Sequence, residues 1–160
     1  MNLKLMLAAP ALFNAGPAWA QAMTPVEYVK AAGAGDLYER TSSQIVLKTT
    51  ADPRVRVFAK MMLAGHAKST AEVKMAAAKS RVKAPAPMLT PAQAEMIAQL
   101  NAESGTTRDA AYIAQQRAAH GQALALQQAY AMGGTAPALK HAAAMIVPVV
   151  EEHIAMLKAM

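Results

Sequence analysis

Proline punctuates this chain at helix starts. Thr24-Pro25, Asp52-Pro53 and Thr90-Pro91 each set a capping residue directly before a proline, and Thr135-Ala136-Pro137 does the same with one residue between. Proline at the first helical position loses nothing, because its missing N–H is one of the donors that a helix start leaves free. Glu27 stands three residues after Thr24, where a capping box needs it. Thr106 or Thr107, with Asp109 in the first turn, predicts a further start. The stops are marked by Pro85 and Pro87, by Gly105, and by the pair Gly133-Gly134. These signals predict four long helices at about 25–50, 53–81, 107–132 and 136–159, with a short one beginning at Thr90. Pro148 falls inside the last and predicts a kink there.

The apolar spacing agrees. Val55, Phe58, Met62, Val73 and Ala76 keep a three-four rhythm, as do Leu139, Ala143, Ile146, Val150 and Leu157. The two halves also resemble each other. At one offset of 84, Tyr28-Val29 meets Tyr112-Ile113, Pro53 meets Pro137 and Val55 meets Leu139, the pattern of a duplicated helical hairpin. The segment between Arg81 and Thr106 is long enough to join two hairpins along the length of a bundle. The expected fold is therefore all-α: a ferritin-like four-helix bundle over residues 24–160, with a long crossover carrying a short extra helix.

Residues 1–20 read as a secretory signal. Lys4 supplies the positive start, Leu5 to Phe13 the apolar stretch, and Ala18-Trp19-Ala20 a small-x-small cleavage site. A bilayer span needs roughly 20 apolar residues, and Pro10, Asn14 and Pro17 interrupt this one. No later stretch of that kind predicts a transmembrane helix in the mature chain, so the expected location is the periplasm. The absence of cysteine excludes a cysteine-linked lipid anchor, disulfides and thiol catalysis. Removing the signal takes away one lysine and leaves fifteen basic against ten acidic residues. That surplus is dispersed and has no interleaved aromatics, which argues against nucleic-acid binding. It permits weak association with an anionic envelope surface. The oligomeric state is not legible.

Three of the four histidines fall in apolar stripes. His66 shares a face with Met62, Ser69 and Val73; His120 with Ile113, Gln116, Leu124 and Gln127; His153 with Ile146, Val150 and Leu157. Glu39 occupies the matching face of the first helix with Tyr28, Ala32, Gly35, Ser43 and Val46, whereas His141 points elsewhere and reads as a surface residue. Counted from the helix boundaries, Glu39, His66 and His120 come level, while His153 falls about 8–10 Å off that plane. Two readings follow. One is a transition-metal site of Glu39, His66 and His120, with His153 as a fourth member or a partner behind the ligands, since imidazole with a carboxylate suits iron, zinc or copper. The other is a set of core histidines hydrogen-bonded to Glu39, Ser69, Tyr112, Gln116 or backbone carbonyls. Buried neutral imidazoles have a depressed pKa, so acid should destabilise the fold.

A di-iron carboxylate centre is disfavoured, because Leu63 and Val150 stand where its Glu-x-x-His motif needs carboxylates. Methionines from Met61 to Met160 favour Cu(I) in principle, but with so few aromatics they are expected to fill core volume. No nucleophile converges with a base, and no phosphate loop is present, so no enzyme class is indicated.

The stretches YVKAAGAGDLYE, ADPRVRVFAKMMLAGHAKS, LNAESG, YIAQQRAAHGQALAL and IVPVVEEHIAML follow one another in an order and spacing that resemble the exported ferritin-like proteins of the domain of unknown function 4142 family, assigned to the outer membrane or periplasm. The resemblance implies a signal peptide, a ferritin-like bundle and no assigned activity. It also implies that Glu39, His66, His120 and His153 occupy positions where the family tends to keep the same residue types. One position departs: the family commonly has an acidic residue before the second-helix histidine, and here it is Gly65. The expectation is a non-enzymatic exported bundle with a Glu/His metal or small-ligand site. The alternatives are a structural or stress-associated envelope protein whose histidines bind nothing and, behind it, a redox enzyme with a degenerate centre.

Overall fold

The computed structural model describes residues 23–83 and 85–160; the expected signal at 1–20 lies outside them. Within these residues the chain forms five helices and no strand: α1 Pro25–Leu47, α2 Pro53–Lys79, α3 Pro91–Ala102, α4 Gly105–Gly133 and α5 Pro137–Lys158.

Local chemistry sets most of the starts. At α1 the Glu27 amide donates to Thr24 Oγ1 (3.3 Å) while the Thr24 amide donates to Glu27 Oε2 (2.8 Å), a complete capping box. Thr90 and Gln93 repeat it at α3, and Asp52 Oδ1 accepts from the Arg54 amide (2.8 Å) at α2. The other two starts differ from expectation. Gly105 does not close the short helix; it opens α4 at φ +54°, a backbone angle glycine tolerates, so Thr106 and Thr107 fall within the first turn rather than at its cap. Ala136, not Thr135, caps α5 and offers no side-chain bond. The first helix ends at Leu47, earlier than about 50, in a tightened turn where the Lys48 amide donates to the Ile45 carbonyl and the Thr49 amide to that of Val46, and Thr50 donates its hydroxyl to Asp109 Oδ2 at 2.8 Å. α5 runs unbroken through Pro148.

The four long helices form a square in which α1 packs on α2 and α4, and α5 packs on α4 and α2. Side-chain pairs between α1 and α4 fix their sense. Tyr28 reaches Gln127 at one end, Ser42 reaches Gln116 in the middle and Ser43 reaches Tyr112 further on, so the two run antiparallel. With short hairpins joining α1 to α2 and α4 to α5, the order is up, down, down, up. Residues 80–104 therefore travel the whole bundle length, and α3 packs on α1 and α4 as they do so.

The duplication has a physical counterpart. Tyr28 donates to Gln127 Oε1 at 2.7 Å, and the Tyr112 hydroxyl lies 2.8 Å from Ser43 Oγ. Shifting 28 by 84 gives 112, and shifting 43 by 84 gives 127. The two bonds thus exchange under a pseudo-twofold relating the hairpins.

Two apolar plugs fill the interior. Tyr28, Val73, Tyr130, Leu139 and Ile146 belong to one, and Val46, Phe58, Met62, Tyr112 and Leu157 to the other. Fully burying one such side chain is worth ~1.5–3 kcal/mol. Methionine supplies little of this volume, contrary to expectation. Met62 is buried, but Met75, Met88, Met132 and Met145 are exposed, and the four tyrosines with Phe58 fill the space instead. Between the plugs lies a polar belt that contains Asp36, Glu39, Gln116 and the three inward histidines.

Candidate metal centre

His66 from α2, His120 from α4 and His153 from α5 meet in that belt. Their ring centroids are 5.8, 6.0 and 5.3 Å apart, and one ring nitrogen of each lies within 4.8 Å of the others. All three are buried, whereas His141 is exposed. Phe58 packs edge-on at 6.4 Å from His153 and tilted at 6.1 Å from His120, giving the cluster an apolar floor.

His153 stands with the others rather than a full 8–10 Å away. Measured from the middle of the α4–α5 turn, near residue 135, it lies only about three residues further out than His120, roughly 4.5 Å at 1.5 Å per residue. Helical side chains lean toward their own N-terminus. In these antiparallel neighbours His153 leans toward the turn and His120 away from it, which closes the remaining stagger.

Each ring has its own hydrogen-bonding environment. His66 Nδ1 lies 2.8 Å from Asp36 Oδ1, and the Thr70 hydroxyl lies 2.8 Å from Asp36 Oδ2 and 2.7 Å from the His66 carbonyl. His120 Nδ1 is 2.9 Å from the Gln116 carbonyl, which can only accept, so that nitrogen carries the proton and Nε2 presents a lone pair. His120 Nε2 is 3.3 Å from His153 Nδ1. Two nitrogens on one tetrahedral ion, at ~2.0–2.1 Å from it, stand roughly 3.3–3.4 Å apart. The His120–His153 spacing already has that value. The wider pairs, within 4.8 Å, need to contract by up to about 1.5 Å to match it.

Glu39 stands behind this trio. Its Oε1 is 3.6 Å from His120 Nδ1, the ring nitrogen bonded to the Gln116 carbonyl, and its Oε2 is buried with no hydrogen-bond partner among the described residues. His66 Nε2 is buried and unpartnered in the same way. A buried polar atom left unpaired costs ~1–3 kcal/mol, so each of the two gains by taking a further partner.

The electrostatics follow from burial and charge. Burial pushes the Glu39 carboxyl up to about 7, against the lowering pull of His66 and Gln116. Burial, assisted by the charge on His66, lowers His120 and His153 to about 4. His66 reverses the expectation of three depressed imidazoles. Burial lowers it, but its bond to Asp36 and the charges of Glu39 and Asp36 outweigh that and hold it above the ordinary value. One imidazole is thus readily protonated beside two that stay neutral.

Asp36 escaped the sequence reading. Two signals mark it: it lies one turn before Glu39 on α1, and the offset of 84 carries it onto His120. Gly65, where a carboxylate was expected by resemblance, borders the cluster; a Cβ there would sit 3.5 Å from His153 Cε1 and 3.8 Å from Nε2.

Beside the rings lies a cavity of about 280 Å³, lined on one side by Gly35, Asp36 and Glu39 and on the other by Gly65, His66 and His153. No described helix is long and apolar enough to cross a membrane.

The fold has solved counterparts. A DUF305 fragment from Deinococcus radiodurans superposes with a TM-score of 0.72 at 14% identity, over 84% of this chain and 93% of that one. A DUF305 protein from Streptomyces coelicolor, described as a candidate secreted protein, gives 0.69 at 16% identity, over 84% of this chain and 88% of that one. At such identities the likeness shows the helical architecture alone. No curated protein matches the chain. The sequence profile described as Domain of unknown function (DUF4142) matches residues 12–160, nearly the whole chain, and this helical protein with its buried histidine cluster belongs to that family.

Proposed function

We propose that this protein is an exported, non-enzymatic helical bundle that holds one transition-metal ion between His66, His120 and His153. The carrying observation is the convergence of three buried imidazoles, with His66 Nε2 unpaired and His120 Nε2 offered as a lone pair. Asp36 and the Gln116 carbonyl act as the outer partners that fix ring orientation, an arrangement that metal-ligating histidines ordinarily have. Glu39 contributes negative charge behind His120 rather than a bond to the ion. Three imidazoles suit zinc, copper or iron.

Export is supported by the signal-like residues 1–20 and by the likeness to a candidate secreted protein. Cleavage after residue 20 leaves 21–160, of which 24–160 make up the functional domain, ferritin-like in its full-length crossover. The dispersed basic surplus allows weak contact with an anionic envelope surface.

A second reading has its own observation. His120 and His153 can satisfy each other through an N–H···N bond at 3.3 Å, which would make the cluster a structural core element of an envelope protein. Elemental analysis of protein purified from the periplasm separates the two. Near-stoichiometric metal that is lost in the His66→Ala, His120→Ala double variant supports binding. Metal-free protein whose melting point ignores added zinc, copper and iron supports the structural role.

A further inference from the structure

The three histidines leave part of a coordination sphere unfilled, and the cavity of about 280 Å³ opens beside them. We propose, resting on the metal reading above, that the bound ion keeps a position facing this cavity and takes there a small neutral donor bearing an N–H or O–H group. Structural metal sites close the sphere with protein ligands, whereas sites with three protein ligands hold an exchangeable fourth.

Small side chains create the space. A Cβ at Gly35 would meet nothing within 4 Å, and Ala32 and Ala123 also line the wall. The rim reaches exposed Gln122 on α4 and Val149 on α5, so a molecule of a few heavy atoms has a way in. The wall chemistry selects the class. Glu39, only 4% exposed, has an unpartnered Oε2 that can accept from the guest, and with Asp36 it offsets the charge of the ion, so a neutral donor needs no further counter-charge. Leu126, Ile146 and Val150 favour an apolar body between the two polar ends. Imidazole itself has this form: one nitrogen lone pair for the ion and one N–H for Glu39.

The test uses the chain lacking residues 1–20, loaded with Co(II), whose visible bands report coordination. Imidazole should shift those bands with 1:1 saturation while cobalt remains on the protein through gel filtration. Azide should need at least ten times the concentration. Gly35→Leu, or Ala123→Leu if the first folds poorly, should keep cobalt and lose the imidazole response. Cobalt bound with bands that imidazole does not move, or moves only by stripping the metal, overturns the open position and leaves the metal reading intact. Azide binding as readily as imidazole overturns the neutral-donor assignment. Failure of Co(II), zinc and copper alike to bind overturns both.

Discussion

Asp36 holds His66 by its Nδ1 at 2.8 Å, and so turns the Nε2 of that ring toward the other two imidazoles. The contact spans the α1–α2 hairpin, with Thr70 bracing the far carboxylate oxygen. Which nitrogen of His66 meets the cluster is therefore decided outside the cluster.

Asp36→Asn keeps the shape and removes the charge. Loss of such an outer partner typically costs 10–100-fold in metal affinity. Competition against a chromophoric chelator should show a fall of that size with little change in melting temperature. Unchanged affinity would mean that packing alone orients His66.

Glu39 gives a pH signature in metal-free protein. Its carboxyl titrates at about 7 in the fold against an ordinary 4.5, so the folded state holds the extra proton. That contribution is fully present below 4.5 and is lost as pH rises through 7. Glu39→Gln should be more stable than the parent at pH 8 by up to ~3 kcal/mol, at ~1.4 kcal/mol per unit. The advantage should vanish as the pH approaches 4.5. Urea denaturation at both pH values reads it, and an equal difference at both would place the carboxylate in contact with solvent.

Gly65→Asp restores the acid implied by the family resemblance. The added Cβ meets His153 at ordinary contact distance, so the first side-chain atom fits without moving the helices. With a fourth ligand of the preferred kind, zinc affinity should rise by about tenfold or more. A metal-binding isotherm identical to that of the parent would show the carboxylate turned away.

The paired tyrosines should behave alike. Tyr28→Phe and Tyr112→Phe each remove a buried hydroxyl bond, worth ~1–2 kcal/mol with the partner left unpaired. The two belong to different apolar clusters, so their effects should add to within ~0.5 kcal/mol. Thermal unfolding of the single and double variants checks this, and strong non-additivity would mean the two plugs are energetically coupled through the belt between them.

The helices were legible because their ends are written in local chemistry: Thr24 with Glu27, Asp52 before Pro53, Thr90 with Gln93. Where the start depends on backbone conformation alone, as at Gly105, side-chain signals misplaced it. Three histidines could be assigned to inward faces by periodicity, but their mutual height could not, since side-chain lean adds to helix rise. Asp36 was hidden for a different reason. Its partner lies thirty residues away on the other arm of the hairpin, and its place one turn before Glu39 puts it near that face without naming the residue it bonds.

The pseudo-twofold has one more outcome. The same shift of 84 that exchanges the tyrosine bonds carries Glu39 onto Ala123, His66 onto Val150 and, in reverse, His153 onto Ser69. Ala123, Val150 and Ser69 all line the cavity. Asp36 is the mate of His120, so of the three imidazoles only that one has an ionisable counterpart, and the small and apolar mates of the rest leave the room beside the cluster. Histidine at Ser69 and Val150 would set two imidazoles beside Asp36, and so repeat the cluster on the opposite side of the twofold.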